Sequence, residues 1–368
     1  MTGGGSGCSN LAVPLTENGP CRINEDATTA LNPHSWTSEA NVILLDQPTN
    51  VGFSYDNSSG TVLNEKEVQE NMYWFLQGFL DKHPEFEGRA LYLAGEGYAA
   101  HYVPAAAHYI WSENLAVKKE NATLRINLQG IIIGNGLVNP VVQMPHVLNM
   151  ATKNSYNINL LKPTDVTTAK EAAPVCNQLM DVCQTNSSAC PGASRYCSSA
   201  LLDVMDGSRR NKFDIRKECD SGDPTRCYNS SAVIQYLNSN TVRTYLNVSD
   251  EVPPLEQCSS LNRKLYSTDL MKNFDGYIAD LLNNGDVRVL IYSGDADLVC
   301  NWRGSEAWTK QLKWKYYQAF NDVEEQDFLM AGEVDTTVAG SIRSSNQFTS
   351  FVYSRLVTWL QGSTSNRS

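Results

Sequence analysis

Short apolar runs and helical stripes alternate along the first 140 residues. Asn41-Val-Ile-Leu-Leu-Asp46 is an apolar run ending in turn residues, which predicts a buried strand. Between Val62 and His83 apolar residues recur at helical spacing (Val68, Met72, Phe75, Leu76, Phe79), and the pattern stops before Pro84. Ala90 to Ala94 and Leu128 to Ile133 predict two more strands, the second closed by Gly134-Asn135-Gly136, and Tyr98 to about Leu115 suits a helix despite Pro104. Strands alternating with helices predict an α/β architecture, a mostly parallel sheet with helices on both faces. From about 141 to 285 cysteines, sequons and short broken helical segments dominate, as in an inserted cap held by disulfides. The α/β signal returns at Val287 to Tyr292, followed by a helix from about Trp302 to Leu312 and an apolar strip from Phe351 to Leu360. Three stretches result: a first part of the core over 1–140, a cap over 141–285 and a second part of the core over 286–368.

With 42% hydrophobic and 19% charged residues, a chain of 368 residues can bury a sizeable core. No run reaches the ~20 apolar residues of a membrane span. Forty acidic against 29 basic residues give a net charge of −11, which opposes nucleic acid and anionic membrane as partners. Six of the ten cysteines fall between Cys176 and Cys227, spaced too widely for zinc pairs, and no histidine follows His146. Disulfides are expected, with their connectivity left open. Sequons at Asn57, Asn121, Asn186, Asn229, Asn247 and Asn366 predict N-linked glycans and an oxidising, glycosylating compartment of the secretory pathway. No apolar signal segment opens the chain, so a removed leader or a missing start is expected.

The chemistry concentrates in Leu91 to Tyr102, which reads as strand, tight turn and helix. Gly95-Glu96-Gly97-Tyr98-Ala99 has the frame of a nucleophile elbow, Gly-x-Ser-x-Gly, with Gly97 at the serine position. A hydrogen cannot attack a carbonyl. Glycine does take positive φ freely, and relieves a strain on the order of 1–3 kcal/mol that a β-carbon would bear there.

Several segments resemble the serine carboxypeptidase family. They are Gly3-Gly-Gly-Ser-Gly-Cys-Ser9, the run from Asn41 through Asp46-Gln-Pro-Thr-Asn-Val-Gly-Phe-Ser-Tyr55, Gly95 to Tyr102, Ile131 to Gly136, and Ser293-Gly-Asp-Ala-Asp-Leu-Val-Cys-Asn-Trp302. They occur in family order. The resemblance implies an α/β-hydrolase fold, no cofactor, no metal, and release of C-terminal residues from peptides through an acyl-enzyme. It places Gly5 and the Tyr98 amide as oxyanion donors and Asp297 as the triad acid. A competing role for Asp297 is to cap the following helix. Glu96 and Glu17 fall on an acidic pair near the substrate carboxylate, where one carboxyl stays protonated and donates a hydrogen bond. Gly4 belongs to the same substrate-binding side, and Cys300 falls on a free thiol beside the site.

The departures concern chemistry. Gly97 replaces the nucleophile. The family's histidine segment near the C-terminus has no match, and histidines 34, 83, 101, 108 and 146 all precede Asp297. His101 reads as a hydrogen-bonded helix residue. Gly3 replaces a carboxylate-holding asparagine, and Ser6 a proline. Both ends look shortened: the chain starts inside the first motif, and the histidine loop is missing between segments resembling the last strand, Asn346 to Tyr353, and the closing helix, Arg355 to Gln361. An exposed sheet edge and poor solubility are the expected result. Ser6, Ser9 and Ser293 lie near the expected site without a base. The expected protein is a catalytically inactive serine carboxypeptidase relative. Alternatives are a binder of peptide C-termini, and an acyltransferase-type homologue that would need the same lost groups.

Overall fold

A small hairpin, β1 (Cys21–Ile23) with β2 (Thr29–Leu31), precedes the main sheet. The computed structural model describes residues 1, 8–11, 13–55, 62, 64–116, 123–219, 227, 230–256, 258, 267–331 and 336–354. Two of the predicted apolar runs become β3 (Leu91–Glu96) and β4 (Leu128–Gly134). The segment between 141 and 285 holds the short hairpin β5 (Arg210–Asn211) and β6 (Asp214–Glu218). The third run becomes β7 (Arg288–Gly294), followed by β8 (Gln326–Ala331), β9 (Thr336–Ser345) and β10 (Phe348–Tyr353). The six-stranded sheet has the order β3-β4-β7-β10-β9-β8, parallel from β3 to β10 and antiparallel beyond.

Helix α1 (Glu65–Lys82) starts where Asn64 accepts from the Glu67 amide, while Glu67 accepts from the Asn64 side chain, a reciprocal cap. Helix α2 (Ala99–Ala116) runs through Pro104 as expected. Its buried face is built from Ala99, Ala100, Ala106 and Ala107, small enough for α2 to lie close beneath the sheet and against α1. Ile131, Ile133, Val289, Ile291 and Phe348 supply the sheet side of the core.

Two expectations need correction. Asn41 to Asp46 forms no strand. Its side chains are mostly half-buried, and the Leu45 amide bonds to the Met1 carbonyl at 3.1 Å. An apolar run predicts burial, whereas a strand also needs a neighbour at ladder spacing. The segment after residue 141 is also less broken than expected: a single helix spans Pro163–Thr185 through Pro174. An internal proline costs roughly 3 kcal/mol. Here Cys176–Cys197 and Cys183–Cys190 bolt this helix to the next one, Cys190–Leu201, and hold it in place. Cys8–Cys258 and Cys219–Cys227 are the other bridges, while Cys21 and Cys300 are free.

Candidate active site

The carboxyl ends of β3, β4 and β7 lie in register. Glu96 stands opposite Gly134, and Gly134 opposite Tyr292. The ends of parallel strands are where ligands bind in open α/β sheets. A Cβ on Gly134 would lie 2.1 Å from Tyr292 Cζ. The bare glycine lets the Tyr292 ring cross β4, and its hydroxyl donates to Glu96 Oε1.

Gly97 follows β3 with φ +60°, the left-handed region that costs a residue with a β-carbon on the order of 1–2 kcal/mol. Its amide donates to the Gly134 carbonyl at 3.1 Å, and its carbonyl accepts from Leu137 at 3.2 Å. The turn is thereby fastened to the end of β4. Tyr98 comes next, with its backbone at the mouth of α2 and its buried hydroxyl donating to Glu65 Oε1 at 3.0 Å. Gly4 and Gly5 lie outside the described residues.

Glu17 sits in the turn Pro14–Asn18. The Asn32 side chain pins that turn by donating to the carbonyls of Glu17 (2.9 Å) and Gly19 (2.8 Å). Glu17 is buried, and its Oε1 has no hydrogen-bond partner among the described residues. Burial pushes its carboxyl well above the usual range, and the charge of Glu96 pushes it further. Burial also raises Glu96, opposed in part by the Tyr292 hydroxyl. The structure thus brings the two acids together in a dry place. One proton on the pair makes it a hydrogen-bond donor, and full ionisation makes it repel anions.

Asp297 is buried at the end of β7. Its Oδ2 accepts from Asn135 Nδ2 at 2.9 Å, and its Oδ1 from the Cys300 amide at 3.0 Å. Burial lifts its carboxyl to about 7. The capping alternative is excluded, because Asn301 is the N-cap of the helix Trp302–Gln311 and accepts from Gly304 at 2.9 Å. Cys300 is buried beside it, its thiol pushed up by burial and then by the Asp297 charge.

All five histidines are among the described residues, and none bonds to Asp297. His101 Nε2 meets the Lys272 carbonyl at 3.2 Å, and burial lowers it to about 3, so the ring is neutral. His83 pairs with Glu85 and His108 with Asp280. Ser6 lies outside the described residues, Ser9 donates to Asp46 at 2.9 Å, and the buried Ser293 Oγ has no partner among the described residues.

Asn135 and Tyr292 belong to the site although sequence reasoning gave them no role. Asn135 has φ +39°, donates to Asp297 and accepts from the Gly294 amide at 3.2 Å, so it joins the ends of β4 and β7 to the acid. Its position inside Gly134-Asn135-Gly136 was the available signal.

A mostly parallel sheet with a strand–turn–helix elbow and a buried acid after a later strand defines an α/β-hydrolase fold. The chain belongs to the serine carboxypeptidase family, whose model matches residues 2–354. It is 37% identical over 353 residues to carboxypeptidase Y of Saccharomyces cerevisiae, covering 94% of this chain and 63% of that protein. It is 38% identical over 351 residues to carboxypeptidase Y of Komagataella phaffii, covering 94% and 64%. The chain thus spans less than two thirds of the length of these relatives. The crystal structure of a prohormone-processing carboxypeptidase from Saccharomyces cerevisiae superposes with a TM-score of 0.83 at 23% identity, covering 96% of this chain and 77% of that one. Among the described residues no helix is long and apolar enough to cross a membrane.

Proposed function

We propose that this chain is a serine carboxypeptidase scaffold that holds peptide C-termini without cleaving them. The observation that carries the reading is the elbow: Gly97 occupies the nucleophile position at φ +60°, with no hydroxyl. Asp297, in the position of the triad acid, is bonded to Asn135 and the Cys300 amide, and no imidazole joins it. Gly5 and the Tyr98 amide retain the oxyanion role. Glu96 and Glu17 receive the terminal carboxylate, and Gly4 and Cys300 share the substrate-binding role. Residues 141–285 act as the cap. The relatives named above are carboxypeptidases, which supports a peptide ligand. Four disulfides suit an oxidising, secretory compartment, where the exposed Asn186 and Asn247 would carry glycans.

Two measurements test this. A fluorophosphonate probe is expected to leave the protein unlabelled, and a blocked dipeptide is expected to stay intact. Gly97→Ser alone stays inactive because the base is missing, and its unfolding free energy drops on the order of 1–2 kcal/mol from the β-carbon at positive φ. Labelling together with cleavage by the unaltered chain overturns the reading. In calorimetry at about pH 5, peptides with a free carboxylate are expected to bind while their amides do not. Binding should weaken as pH rises and the Glu17–Glu96 pair loses its proton and repels the ligand. Equal binding of acid and amide removes the case for carboxylate recognition.

A further inference from the structure

A second concave site lies on the helix that follows Asp297. The helix Trp302–Gln311 turns Arg303, Glu306 and Lys310 towards the helix Pro145–Thr152, which contributes His146 and Asn149 and ends at Lys153. Together they line a cavity of about 420 Å³, within the roughly 300–1,000 Å³ typical of small-molecule sites.

The charge here runs against the rest of the molecule. The chain carries −11 overall, yet this groove gathers Arg303, Lys153, Lys310 and His146 around a single acid, Glu306. Lys310 Nζ is paired with Glu306 Oε1, so those two charges cancel. Neither Arg303 nor Lys153 has an ion-pair partner among the described residues. The Arg303 guanidinium lies over the Trp302 ring, 4.8 Å from its centroid, and its Nε is an unpaired buried donor. His146 is half-buried and feels Arg303 directly: burial lowers its basicity, the guanidinium lowers it further, and Glu306 opposes both. Holding basic groups together around an open volume is unfavourable until an anion enters. A guanidinium fixed on an aromatic face is a preorganised receptor for a multiply charged oxyanion.

We propose that this groove binds a dianionic phosphoryl group, either free phosphate or the phosphate ester of a small polar molecule. Arg303 and Lys153 supply the charge, and His146 becomes easier to protonate once the anion is bound. Asn149 and Glu306 stand where the hydroxyl groups of an ester would meet them. The site shares no residue with the candidate active site, so it stands or falls independently of the proposed function.

Inorganic phosphate, glucose 6-phosphate and glucose are titrated into the full chain by calorimetry, with the His146 C2 proton followed by NMR. Saturable heat is expected from phosphate or glucose 6-phosphate and none from glucose. Tighter binding of the ester identifies an organic ligand, and equal binding identifies the inorganic ion. Bound anion should shift the His146 titration to higher pH. Arg303→Gln is expected to weaken binding roughly tenfold or more. Lys153→Gln, on an exposed side chain with little bearing on folding, is expected to weaken it several-fold. The proposal is overturned if neither phosphate compound gives saturable heat, if the His146 titration does not move, or if both variants bind like the parent.

Discussion

Replacing Cys8 and Cys258 together by alanine is expected to lower the unfolding free energy by about 5 kcal/mol, on the chain-entropy account of cross-links. This bridge spans 250 residues, whereas Cys183–Cys190 spans seven. The same account gives the short loop only about 2–3 kcal/mol. A domain's total stability is about 5–15 kcal/mol, so losing the long bridge consumes most of the margin. The structural consequence is local too. Leu11, Leu15 and Ile23 pack on a small cluster of Val233, Leu237 and Leu255. Leu15 lies in the turn that carries Glu17, and Cys258 lies just past Leu255. Cutting the bridge therefore loosens the seat of Glu17, and binding of free-acid peptides should fall with stability. Urea unfolding of both alanine double variants decides the matter. Equal losses for the long and the short bridge would falsify the entropic explanation.

The parts of the fold legible in the sequence are the strands that carry the core. β3 and β4 pack on α2 and β7 on the helix Trp302–Gln311, and each appears as an apolar run although β7 alternates buried with half-buried positions. β8 and β9 extend the sheet beyond β10, where Phe328, Leu329 and Val338 remain partly or largely exposed. A strand with solvated faces mixes polar and apolar residues, and Thr336–Ser345 carries no run to read. Asn41 to Asp46 failed for the opposite reason: its apolar residues report burial against the core and nothing about a partner strand. The site divides along the same line. Gly97 and Glu96 are visible because the elbow is local in sequence. Tyr292 reaches Glu96 only because β4 places a glycine between them at one rung of the sheet, a fact of register that no local pattern encodes. Asn135 is similar, since its two partners lie 159 and 162 residues away.

Asp297→Asn is expected to stabilise the protein above neutral pH and to destabilise it slightly near pH 4. The parent carboxyl has an ordinary value of 3.8 and stands at about 7 in the fold. Between those values the native state holds a proton that the unfolded chain has released. Stability therefore falls as pH rises from about 4 to about 7, and levels off above. The gap corresponds to roughly 4 kcal/mol at most, on 1.36 kcal/mol per pH unit. Buried Glu17, Glu65 and Glu96 act in the same direction. His101 acts oppositely. It stays neutral in the fold down to about 3, so the stability it contributes is present above its ordinary 6.5 and is lost as pH falls towards 3. A stability maximum in mildly acid solution follows from the two limbs together. Asparagine at 297 removes the alkaline limb's largest quantified member. It also presents an amide to Asn135 Nδ2 where an oxygen stood, at about 1 kcal/mol. The net gain at pH 8 is then on the order of 2–3 kcal/mol, and the net loss at pH 4 about 1 kcal/mol. Thermal unfolding of both proteins from pH 4 to pH 8 should give curves that cross, whereas parallel curves would show that Asp297 is not ionised at a cost. The sign has a chemical origin. Where an imidazolium faces such a carboxylate, its charge offsets the burial; here the Cys300 and Val299 backbone amides and the Asn135 side chain oppose it, and none of them carries a charge.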